Sequence, residues 1–86
     1  MIPFLEETQE FERLVNTAQG DTLRVPYSVA RAVCTMQELG RYLGDCWTAP
    51  RDASSLPVHL PLPAARLICD RAKTNVANRV YRSLNE

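Results

Sequence analysis

The chain has no charge imbalance, little lysine and no closely spaced cysteines. Nine arginines and one lysine balance ten acids, so there is no overall basic field for nucleic acid. Cys34, Cys46 and Cys69 are an odd number, and no two lie two to four residues apart. That argues against a secreted disulfide framework and against a zinc knuckle, and for a reducing compartment. No run approaches 18 apolar residues, so no membrane-spanning helix is expected. The acidic amino terminus lacks both a signal-peptide core and an Arg/Ser-rich transit pattern. Walker, dinucleotide-binding, HExxH and EF-hand patterns are all missing. The expectation is a soluble, intracellular, non-enzymatic protein (cytoplasm or an organelle interior) that is not secreted and has no cofactor or metal.

What is present is an ordinary apolar fraction of 45% in 86 residues. That is too apolar for disorder and makes at most one domain. A chain this short buries only about 60–65% of its unfolded surface, so its stability margin is thin without a partner or a staple. Charge is uneven along it. Glu6, Glu7, Glu10 and Glu12 face only Arg13 in the first twenty residues. Arg66, Arg71, Lys73, Arg79 and Arg82 outweigh Asp70 and Glu86 in the last segment. The two ends can attract each other within one fold, or one can meet a charged partner.

Periodicity predicts an all-α or nearly all-α fold with three helices, at about 3–19, 27–44 and 63–84. Pro3 suits a first helical turn, and Phe4, Thr8, Phe11, Val15 and Ala18 form one stripe. Gly20 can end that helix. Leu23 and Val25 alternate with Thr22 and Arg24, enough for one brief strand or none. Val29, Val33, Met36, Leu39, Leu43 and Trp47 make the central helix the best-specified element. Gly40 beside this stripe is either a tolerated defect or a close helix crossing. Pro50, Pro57, Pro61 and Pro63 predict a long Pro-rich loop over 45–62, neither helix nor central strand. The last helix has a narrow, alanine-rich stripe of Ala65, Ile68, Ala72, Val76, Val80 and Leu84, widened by Ala77 and Tyr81. Its distal half is expected to reach beyond so small a globule. The segment Val25–Cys34 also echoes Leu60–Cys69, matching Pro, Ala, Arg and Cys at a separation of 35 residues.

Four potential ligands, Cys34, Cys46, His59 and Cys69, leave a small thiol or zinc protein as an alternative. Their spacing supports neither a knuckle nor a nucleophile–base pair. The basic side of the last helix lacks the interleaved aromatics of a nucleic-acid surface. Trp47 reads equally as a core cap and as an interface anchor. The candidate interface is therefore Gly40, Leu43, Trp47, Leu56, Val58, Leu60 and Leu62, with Arg71 and Arg82.

A short helix leads to a connector ending in Val25-Pro26 and a helix carrying Cys34. A proline-rich loop then precedes Leu60-Pro61-Leu62-Pro63 and a final helix. This order resembles elongin C and related BTB-fold adaptors, although that family's amino-terminal β-hairpin has no counterpart here. The resemblance implies a protein-binding adaptor and assigns no site residue. The expected function is a non-catalytic accessory or structural subunit that docks through helices into a larger multiprotein complex. A free adaptor or inhibitor-type interaction module is the alternative. Other protein subunits are the expected partners.

Overall fold

The computed structural model describes residues 4–43 and 57–85. Its elements run α1 (Leu5–Thr17), β1 (Thr22–Pro26), α2 (Tyr27–Val33), α3 (Met36–Leu43), β2 (Pro57–Pro61) and α4 (Leu62–Asn85). The fold is mostly helical, with one small antiparallel sheet of β1 and β2. Among the described residues no helix is long and apolar enough to cross a membrane.

The expected central helix over 27–44 is two helices. Cys34 is extended (φ −99°, ψ 153°), and its N–H closes α2 on the Ala30 carbonyl at 2.8 Å. Thr35 then opens α3 with a reciprocal cap. The Thr35 N–H donates to Glu38 Oε1 at 2.7 Å, and the Glu38 N–H donates to Thr35 Oγ1 at 3.1 Å. Two orphan donors are satisfied at once, so restarting the helix here costs little. The two non-helical residues reset the phase. Met36, expected inside, is 62% exposed, whereas Leu39 is buried.

The expected loop over 45–62 is partly strand. Residues 44–56 lie outside the described set, but Pro57–Pro61 pairs with Thr22–Pro26. The prolines fit because of the register. The Leu62 N–H donates to the Asp21 carbonyl at 2.8 Å, which makes Thr22 and Pro61 a non-hydrogen-bonded pair. Alternation then makes Leu23–Leu60 and Val25–Val58 the hydrogen-bonded pairs, and Pro26–Pro57 another non-bonded one. Each proline therefore stands where a backbone N–H would face away from the partner strand. In a two-stranded ribbon both strands are edges, where proline is tolerated.

The ribbon also explains the internal echo. Pro26 and Pro61 each end a strand, and Tyr27 and Leu62 each begin a helix. Antiparallel pairing places the copies so that a local two-fold axis at Arg24 and His59 exchanges them. Matching positions have matching burial: Val25 with Leu60, Ala30 with Ala65, Val33 with Ile68. The inner face of the ribbon and these helix starts form the core with Phe11, Leu39, Cys69 and Ala72. α1 closes it by packing on α2 and α4. Lys73 Nζ meets Glu12 Oε2 at 2.5 Å, so the acidic and basic ends of the chain face each other in one fold.

α1 begins later and ends earlier than expected. Phe4, its N-cap, holds φ at 63°, a left-handed conformation that a bulky side chain rarely adopts. The Arg79 guanidinium lies over the Phe4 ring at 5.8 Å. After α1 ends at Thr17, Gly20 at φ 90° turns the chain into β1.

Candidate functional site

α4 has 24 residues and is about 36 Å long. Its first half is held in the core by Leu62, Ala65, Ile68, Cys69 and Ala72. From Lys73 to Leu84 only Val76 is even half-buried. Ala77, Val80, Tyr81 and Leu84 follow one another at helical spacing and share a face. Tyr81 is 69% exposed and Leu84 81%. The charged residues from Thr74 to Leu84 are Arg79 and Arg82, both basic. An apolar stripe beside Arg82 is thus exposed on the last turns of α4, past the point where Arg79 lies over Phe4 of α1.

The helix is set in place by Arg71. Its guanidinium donates to Glu38 Oε2 at 2.9 Å and Oε1 at 2.6 Å, and to the Val33 carbonyl at 2.9 Å. One side chain on α4 therefore fastens the end of α2 and the first turn of α3. Arg71 holds the Glu38 carboxyl down at about 2, and the Thr35 N–H adds to this against the effect of partial burial. Arg71, a candidate interface residue, joins three elements of this chain while its side chain stays 41% exposed.

The other expected interface residues separate. Val58, Leu60 and Leu62 are sealed in the core by this chain's own side chains, so they offer no docking patch. The alternation of a half-buried strand is what turns them inward. Gly40 is exposed, and a Cβ there would meet nothing within 4 Å, so among the described residues no helix crosses at it. Leu43 is the last residue of α3; its side chain, Trp47 and Leu56 lie outside the described residues. Arg82 is exposed on the far half of α4.

The thiol and metal readings find little to build on. Cys34 and Cys69 are free thiols, and Cys46 lies outside the described residues. Burial pushes the Cys34 thiol up to about 11, with the Glu38 charge adding to it and Arg71 opposing. Burial and the Glu12 carboxylate likewise raise Cys69. His59 is exposed in β2, facing away from the core. Among the described residues no three His, Cys, Asp or Glu side chains converge as a metal site would require.

A hollow of about 360 Å³ lies between α1 and α4, lined by Glu12, Asn16, Arg66, Cys69, Asp70 and Lys73 among others. Its charges alternate in sign and Lys73 is paired with Glu12, so it concentrates no net charge. A second hollow of about 310 Å³ lies between Leu14 of α1 and Arg24, Pro26 and Pro57 of the ribbon.

Sequence reasoning missed the clamp and the cap. The cap had a signal, the Thr35-Met36-Gln37-Glu38 pattern of a capping box inside an otherwise continuous stripe. The Arg71–Glu38 pairing spans 33 residues and had none. No family model, no curated protein and no solved structure matches the chain.

Proposed function

We propose that this protein is a non-catalytic docking component, an accessory subunit that joins a larger protein assembly through the far half of α4. The observation that carries this reading is the exposed stripe of Val80, Tyr81 and Leu84 on a helix whose other half is anchored in the core. Exposed single apolar residues are common, but three on one face at the end of a long helix suit an apolar groove in another protein. Such a groove with an acidic rim would complement Arg82. The assembly would hold the chain where its partner subunits are, and the reading involves no nucleic acid and no cofactor.

A photo-crosslinking amino acid at Leu84 or Tyr81, in cells that make this protein naturally, tests the proposal. A discrete crosslinked protein is expected from both positions and not from exposed Arg31 on α2. Crosslinks that are absent, or equal at all three positions, would sink it.

The second reading is a free adaptor that engages one partner transiently. The resemblance to BTB-fold adaptors, drawn from Val25-Pro26, the Cys34 helix, the proline-rich segment and Leu60-Pro61-Leu62-Pro63 before the last helix, is what supports it. Sedimentation separates the two. A stable, monodisperse monomer of the isolated chain favours the free adaptor over an obligate subunit.

A further inference from the structure

The two edges of the ribbon are unequal. The outward-facing residues of β2 are Pro57, His59 and Pro61, and only His59 among them has an N–H to offer. α3 packs beside that strand and α1 packs on β1, so the inequality lies in the prolines. The outward-facing residues of β1 are Thr22, Arg24 and Pro26; the Pro26 carbonyl starts α2 as its N-cap, so the N–H and carbonyl groups of Thr22 and Arg24 are what point away from the sheet. No hydrogen bond of the described residues uses the outward groups of Thr22 or Arg24. The Arg24 side chain is exposed and has no carboxylate partner among the described residues. The hollow between Leu14, Arg24, Pro26 and Pro57 opens beside this edge.

We propose that the free edge of β1 accepts one extended strand from a partner protein, with an acidic side chain opposite Arg24 and an apolar one in the Leu14–Pro26–Pro57 hollow. Backbone groups at Thr22 and Arg24 supply the hydrogen bonds of strand addition. Arg24 supplies the charge preference, because directly opposite charges across strands attract and like charges repel. A symmetric second copy centred on this edge would set Arg24 against Arg24, which disfavours a homodimer in that register. The surface is separate from the far half of α4, so it stands or falls independently of the docking reading above.

The probe is a blocked seven-residue peptide of alternating valine and threonine with one central glutamate, added to the full chain labelled for amide NMR. Exchange of the Thr22 and Arg24 amides is expected to slow at least fivefold at saturation. The Leu23 and Val25 amides, already bonded to β2, should change little. A central lysine in place of glutamate should weaken binding about fivefold, and Arg24→Glu should invert that order. Thr22→Pro removes one outward donor without touching the inner ladder and should weaken binding of both peptides. Should that variant fail to fold, Arg24→Glu still decides the matter. Unchanged Thr22 and Arg24 exchange at millimolar peptide overturns the proposal, as does equal binding of the two peptides. Protection that rises with protein concentration in the absence of peptide also overturns it, because the occupant is then a second copy.

Discussion

Arg71 of α4 and Glu38 of α3 face each other across 33 residues and are joined by two hydrogen bonds of 2.9 and 2.6 Å. The same guanidinium holds the Val33 carbonyl at the end of α2. A planar, five-donor group is what allows one side chain to tie three elements together.

Removing that group should be felt in stability. Arg71→Ala is expected to cost about 1–2 kcal/mol, modest because the pair is partly exposed to solvent. Arg71→Lys should recover less than half of the loss, because an ammonium cannot make the bidentate contact. Urea unfolding of the three proteins followed by circular dichroism measures both differences.

The clamp makes stability depend on acid. Glu38 is depressed from near 4.5 to about 2 in the fold. A carboxylate lowered by folding contributes fully above its unfolded value, and the contribution drains away as pH falls through the folded value. The urea midpoint should therefore drop between about pH 4.5 and pH 2 from this group. In Glu38→Gln that part of the drop should be missing, with stability lower than the parent's at pH 7 and the two converging near pH 2. Parallel pH profiles for the two proteins would contradict the assignment.

The cap and the clamp share Glu38, so they should not add. Thr35→Ala alone is expected to cost about 1 kcal/mol, and Thr35→Ser much less. Combined with Arg71→Ala, the loss should differ from the sum by about 0.5 kcal/mol or more. A strictly additive double mutant would mean that the two contacts act separately.

The thiols should be sluggish. With Cys34 raised to about 11 and Cys69 raised by burial, their alkylation by iodoacetamide at pH 8 should be slow in the fold and fast in urea. Mass spectrometry of the alkylated peptides reads each cysteine separately. Rapid labelling of Cys34 in the native protein would be inconsistent with its environment.

Core and helix end should respond differently to truncation. Leu60→Ala, at a fully buried site, is expected to cost about 2–5 kcal/mol, most of the stability of so small a domain. Leu84→Ala should stay within about 0.5 kcal/mol of the parent, because its side chain is already in water. Thermal melts of the isolated chain compare them directly.

Most of the helical content could be read from periodicity, because an amphipathic stripe is written at fixed local spacing. The stripe of the last helix predicted Ala65, Ile68 and Ala72 inside, and all three are buried. The helix break at Cys34 was hidden. The stripe is apolar on both sides of it, and only the four-residue cap pattern distinguishes a restart from a continuation. The strand at Pro57 was concealed by its prolines, whose effect depends on which way each backbone N–H would point. That direction belongs to the register with β1 and is a property of neither segment alone. Val58, Leu60 and Leu62 are buried for the same reason, since the face of apolar residues between prolines is fixed only by the partner strand.

The sequence by itself determined a mostly helical chain, the apolar face of α4, the opposed charges at the two ends of the chain and the proline-started echo of Val25–Cys34 in Leu60–Cys69. These are local patterns, set by spacing and by residue chemistry within a few positions. Only the tertiary structure decided that the two segments pair around Arg24 and His59 and that Arg71 closes on Glu38. It also left the Thr22 and Arg24 edge groups of β1 without a hydrogen bond among the described residues, and Leu84 of α4 exposed. Each of these depends on groups tens of residues apart meeting in space, through contacts that no local pattern encodes.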